Sequence, residues 1–160
     1  MGTYFTLRPQ LRSGDLVFFR EHTFWSRLIR RATMSDYCHC GVVLVKGGDA
    51  FVVEARQAQG VTMRLLEEAL PCDWIATGCN WTEEVETDAL MRLQTHYSAF
   101  AAIALGLGIK PPGQTEVCSL CAGSIIQAGL PGVQIPRRGL TPGLLGEIFM
   151  AAGLPNRTLN

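Results

Sequence analysis

Apolar residues recur through the first half of the chain in short runs divided by turn residues. Leu16-Val17-Phe18-Phe19 follows Ser13-Gly14-Asp15 and reads as a strand leaving a turn. Residues 40–45 and 51–55 are apolar, β-branched runs joined by Lys46-Gly47-Gly48-Asp49, the composition of a hairpin. Residues 61–65 and 74–77 read as further strands, giving a mainly antiparallel sheet of about five. Between the first two strands the period changes to helical. Residues 24–32 set Trp25, Leu28, Ile29 and Ala32 on one face and Arg27, Arg30 and Arg31 on the other. Those arginines form either a solvated face or a pocket for a substrate carboxylate or phosphate.

The second half is helical. Thr82 is an N-cap for a helix over 83–95 whose first turn is acidic, as the helix dipole favours. The nearly all-apolar 98–107 predicts a buried helix, Pro111-Pro112-Gly113 a turn, and 117–128 a further helix. Thr141-Pro142 supplies an N-cap and a first-turn proline for a last helix to about 152. Strands first and helices after predict an α+β fold, one domain over 1–160 with its core at about 13–152.

A chain of 160 residues can bury one sizeable core but not two. Lys plus Arg and Asp plus Glu both total 14, so no overall field draws the protein to nucleic acid. The longest apolar stretch, about 99–109, falls short of the ~20 residues that span a bilayer, and no integral membrane segment is expected. The amino-terminal residues lack the pattern of a secretory signal, which predicts synthesis in the cytoplasm, with a dedicated export system or a phage origin as the other settings. In that compartment the six cysteines are reduced thiols.

A thiol becomes a nucleophile when its pKa falls, and a helix N-terminus with a neighbouring imidazolium brings that about. Cys118 opens the helix over 117–128, whose first N–H groups can also receive an oxyanion. Of His22, His39 and His96, only His39 stands at the entry of a strand, where a rigid element aims the side chain. The tautomer of such a base needs a third group. Glu54, a carboxylate inside an apolar strand, is one candidate. A turn centred near Gly48 makes cross-strand partners sum to about 96, which sets Val42 opposite Glu54 and His39 opposite Gln57. Gln57 is therefore the alternative orienter, unless a bulge near Gly41 brings His39 onto the face of Glu54.

Gly14-Asp15-Leu16-Val17-Phe18, Ser26-Arg27-Leu28-Ile29-Arg30 with Thr33, His39-x-Gly41-Val42-Val43, Val53-Glu54-Ala55 with Gly60-Val61, Tyr97, Cys118-Ser119 and Leu140-Thr141-Pro142-Gly143-Leu144-Leu145 occur in this order. The arrangement resembles the circularly permuted, NlpC-type branch of the papain-like superfamily, the group containing YiiX-like proteins. The resemblance implies Cys118 as nucleophile, His39 as base and Glu54 as orienter. It also implies a hydrolase of amide or ester bonds, cell-wall peptides among them, or a lipid acyltransferase or thioesterase on the same fold. Trp25, Tyr37 and Tyr97 are the expected contacts to a small peptide or acyl substrate. No cofactor is expected. The chain departs from the family at Leu120, where relatives carry an acid, and at Cys38, where they carry a small polar residue; both bear on substrate preference.

Three readings come from other classes. Cys118-x-x-Cys121 has redox spacing, although the βαβ context of such a pair is missing. Cys38-His39-Cys40 with Cys118 and Cys121 holds the residue types of a zinc site, but alternation along a strand turns His39 away from both neighbouring cysteines. The third is a binding module on the same fold.

Overall fold

The computed structural model describes residues 4–93, 95–96 and 117–160. The first strand, β1 (Leu16–Phe19), is buried along its whole length because it runs through the middle of the sheet. Around it lie β2 (His39–Lys46), β3 (Asp49–Arg56), β4 (Gly60–Leu65), β5 (Cys72–Ile75) and β6 (Asn156–Leu159), in the spatial order β4-β3-β2-β1-β5-β6 with every pairing antiparallel. Among the described residues five α-helices accompany them: α1 (Tyr4–Leu7), α2 (Phe24–Thr33), α3 (Glu83–Met91), α4 (Cys118–Gly129) and α5 (Pro142–Ala151). The fold is α+β, with six strands rather than five. The added strand, β6, is a polar four-residue stretch that Asp73 holds through a 2.9 Å bond from Thr158 Oγ1. The helix expected over 98–107 and the turn at 111–113 lie outside the described residues.

Alternation along the strands sends two sets of side chains into two cores. Leu16, Phe18, Cys40, Val42, Leu44, Val53 and Ala55 face the helices and pack with Cys118, Cys121, Ile125 and Leu145. Val17, Phe19, Val43, Val52 and Trp74 face the other way, onto Tyr4, Leu11, Leu66 and Leu159. Each fully buried side chain of this size contributes about 1.5–3 kcal/mol. Asp15, 2 % exposed, pins the turn before β1 by accepting from Trp74 Nε1 at 2.9 Å and from the Arg12 N–H at 2.8 Å.

The helix starts follow from capping. Thr23, Thr82 and Thr141 each accept a backbone N–H of their helix's first turn, from Ser26, Val85 and Leu144 respectively. Helix α2 turns slightly from its expected orientation. Ile29 and Ser26 face inward, whereas Leu28 is 37 % exposed, and Arg27 and Arg31 face solvent.

The β2–β3 hairpin decides the geometry of everything that follows. Its ladder runs from Lys46↔Asp49 to Gly41↔Glu54, closed by the two-residue loop Gly47-Gly48 with φ of +61° and +88°. Both values lie in the left-handed region that favours glycine in such loops. The register thus differs by one residue from a turn centred on Gly48. Glu54 stands opposite Gly41, not Val42, and a one-residue difference exchanges the faces of a strand. His39 and Glu54 consequently share a face without any bulge. Gly41 admits the close approach of the two strands: a Cβ there would lie 2.5 Å from Val52 Cγ2 and 2.9 Å from the Val53 carbonyl oxygen.

Candidate active site

His39 is the first residue of β2, and the pairing of β2 with β3 begins two residues later, at Gly41. The strand is fixed there by β1 alone, with Phe19 opposite His39 and its ring stacked on the imidazole at 5.5 Å. Nε2–H of His39 donates to Glu54 Oε2 at 2.6 Å, and an acceptor this close fixes the tautomer that leaves Nδ1 for another partner. The Glu54 side chain has no exposed surface. Its second oxygen, Oε1, accepts from Arg64 Nε at 2.6 Å and from Arg56 Nη1 at 3.5 Å.

Cys118 is the first residue of α4 and is 3 % exposed. Val117, the N-cap position, makes no side-chain cap bond, so the first N–H groups of the helix keep their positive end for an anion. The neighbouring Ser119 donates to the Leu140 carbonyl at 2.6 Å and anchors the helix start. Cys118 meets two consecutive residues of β2. A hydrogen bond from the Cys40 thiol, together with those from His39 and the Cys40 N–H, holds the Cys118 thiol well below its ordinary value against the opposing effect of burial. Burial and the sulfur of Cys118 push the Cys40 thiol well up.

The three groups therefore titrate as a unit. Burial disfavours a charged His39, but the hydrogen bonds to Cys118 and Glu54 outweigh it and raise the imidazole to about 10. Burial likewise works against the Glu54 carboxylate, which His39 and Arg64 nevertheless hold down at about 2. The three shifts run in the directions that favour a thiolate, an imidazolium and a carboxylate, the charge pattern of an activated sulfur nucleophile.

A cleft of about 240 Å³ opens beside His39, lined among others by Thr23, Ser26, Cys38, Arg56 and Gln57. Ser26 Oγ lies 2.6 Å from Thr23 Oγ1, and Arg56 reaches Glu21 at 3.7 Å across the same opening. A larger cavity, about 540 Å³, shares Glu21 and Arg56 with this cleft and has Arg20 and Arg64 in its wall.

Of the residues expected from the sequence, Cys118, His39 and Glu54 come together. Gln57 lines the cleft, exposed in the turn after β3, while the imidazole bonds to Glu54. Tyr37 is a correction: it is 7 % exposed, packs on Phe18, and its hydroxyl donates to Asp73 Oδ2 at 2.6 Å, so its role is in the core. The side chain of Trp25 and the whole of Tyr97 lie outside the described residues. Two site residues were not expected from the sequence, Cys40 and Arg64. Alternation along β2 would have placed Cys40 on the helix-facing side next to His39; Arg64 carries no comparable local signal.

Neither a scan against protein-family models nor a search of curated proteins finds a match for the chain. Among solved structures it is similar to a crystal structure described as the metalloprotein yiiX from Escherichia coli O157:H7, DUF1105. That likeness has a TM-score of 0.57 at 19 % sequence identity and covers 76 % of this chain and 68 % of the other, and it is a likeness of fold.

Proposed function

We propose that the protein is a cysteine hydrolase that opens an amide or ester bond through a covalent acyl-enzyme on Cys118. The observation that carries this reading is the single imidazole of His39, bonded to a buried carboxylate at 2.6 Å and coupled in its protonation to the sulfur that begins α4. The Cys118 thiolate attacks the carbonyl carbon, and the oxyanion that forms faces the N–H groups of the helix start. The His39 imidazolium gives its proton to the leaving amine or alcohol as the C–N or C–O bond breaks. Neutral His39 then takes a proton from water as that water attacks the thioester, and the thiolate departs. Glu54 keeps the ring in the tautomer that serves both transfers.

The chain order histidine, acid, cysteine is the reverse of papain and agrees with the permuted branch of that superfamily. The polar lining of the cleft favours a peptide amide, cell-wall peptides included, over a lipid acyl chain. Intact-mass measurement after incubation with peptidoglycan fragments and simple acyl donors tests the proposal. The expected result is an acyl adduct on the protein that is absent from Cys118→Ala. Absence of any adduct would leave the fold to a binding module.

The description of yiiX as a metalloprotein raises the metal reading for this chain, and its residues do not fit one. Cys38 Sγ is turned to the Phe19 carbonyl at 3.3 Å, His39 Nε2 is committed to Glu54, and among the described residues no three His, Cys, Asp or Glu side chains are arranged to hold a metal ion. The proposed steps use the chain's own groups alone.

A further inference from the structure

Arg64 stands directly opposite Val52, and Glu54 opposite Thr62, so Arg64 reaches Glu54 diagonally across the shared face of β3 and β4. Its Nε donates to Glu54 Oε1 at 2.6 Å, and its Nη1 donates to the Glu68 carbonyl at 3.0 Å in the single turn Leu66–Ala69. The guanidinium is therefore held at both ends and is 25 % exposed, toward the 540 Å³ cavity.

We propose that Arg64 is a positioning residue for the Cys118–His39 pair, fixing the Glu54 carboxylate and supplying the one positive charge that makes the buried group neutral as a whole. The proposal rests on the reading of Cys118 as nucleophile. Thiolate, imidazolium and carboxylate together carry one negative charge in a largely buried site, and a buried uncompensated charge is strongly unfavourable. Arg64 cancels it. Arg56 does not replace Arg64, because it lies at 3.5 Å from Glu54 and is shared with Glu21. Among the described residues, Cys38 and Cys40 from β2 and its entry, Cys72 from β5 and Cys121 from α4 also interact with the cluster, and the first three are pushed up first of all by burial. Without the guanidinium, the cluster relieves its charge by taking up a proton. The imidazolium–carboxylate pair keeps its mutual bond, so the proton goes to the sulfur.

The test uses Arg64→Gln and Arg64→Lys in the full chain. The Cys118 thiolate is followed by its ultraviolet absorbance against Cys118→Ala, and by the pH dependence of iodoacetamide alkylation read by peptide mass. Arg64→Gln is expected to move the acid limb of thiolate formation upward by on the order of one pH unit. Arg64→Lys, which retains the charge and loses the fork between Glu54 and Glu68, is expected to move it by less than half as much. Circular dichroism establishes that each variant is folded. A folded Arg64→Gln with an unmoved limb overturns the proposal, and so do equal shifts in the two variants, which would mean lost packing. Should Arg64→Gln not fold, a shift of about one pH unit or more in Arg64→Lys, which keeps the charge, overturns it. A native protein with no thiolate at neutral pH would instead defeat the reading of Cys118 itself.

Discussion

Glu54 on β3 and Asp73 on β5 are equally cut off from water, with 0 % and 3 % of their side chains exposed, and each is surrounded by donors. Asp73 accepts from the Tyr37 hydroxyl at 2.6 Å, Thr158 Oγ1 at 2.9 Å, the Asn156 amide at 3.3 Å and the Arg20 guanidinium. Burial opposes its charge, and these bonds still hold it below the ordinary value; burial and Asp73 in turn push Tyr37 up to about 12. None of its partners changes charge near neutrality. Glu54 shares an equally complete set of bonds with His39, an imidazole whose proton is coupled to that of a neighbouring sulfur. Burial and satisfaction are alike at the two sites, so on the proposed reading what separates a structural carboxylate from one coupled to chemistry is the titration of its neighbour.

The widest gap between the two regions should come from Cys118→Ala, which is expected to abolish acyl transfer by about 10⁴-fold or more while leaving the Asp73 network and the thermal midpoint nearly unchanged. Steady-state kinetics with calorimetry on the same preparation checks it. Next in size, Glu54→Gln should lower kcat by about 10³-fold with little change in KM, since an amide holds the ring but not its charge. Asp73→Asn should do the opposite, costing about 1–3 kcal/mol in denaturant melts with kcat per folded molecule intact. If Asp73→Asn depresses kcat as much as Glu54→Gln, the distinction between the sites collapses.

Titration sharpens the comparison further. On the proposed mechanism turnover requires the His39 imidazolium and should fall as pH rises through about 10. For stability, Glu54 is depressed from 4.5 to about 2, so its contribution is complete above pH 4.5 and is lost as pH falls toward 2. Acid melts of the native protein and Glu54→Gln should converge over that window. The smallest effects are expected from Gln57→Ala and Cys121→Ala, each within a few-fold of native kcat. A large loss in Gln57→Ala would transfer the orienting role away from Glu54.

Much of the fold is legible in the order of apolar runs. Strands β1 to β5 and the helices beginning after Thr23, Thr82, Val117 and Thr141 follow from alternation, turn residues and caps. Strand β6 is not legible, because Asn156-Arg157-Thr158-Leu159 has one buried residue and owes its place to Asp73 and to pairing with β5. The three residues brought together at the site are also visible as types in the sequence. Their mutual geometry is not, since it hangs on a turn of two residues rather than three. Arg64 is the least legible: its proposed role depends on the register of β3 with β4, a second step removed from the hairpin that holds His39.

That two-residue turn also gives the chain an unequal tolerance of length changes. Gly47 and Gly48 have open space where a side chain would begin, so an added residue can be taken up as a longer loop with Glu54 still opposite Gly41. A deletion has no such outlet, because two residues is already the shortest common hairpin loop. The ladder would have to slip by one, carrying Val53 and Ala55 out of the helix-facing core and Glu54 into it. For this protein an exposed glycine pair far from the sulfur, ordinarily the most forgiving kind of position, is one where losing a residue matters more than gaining one.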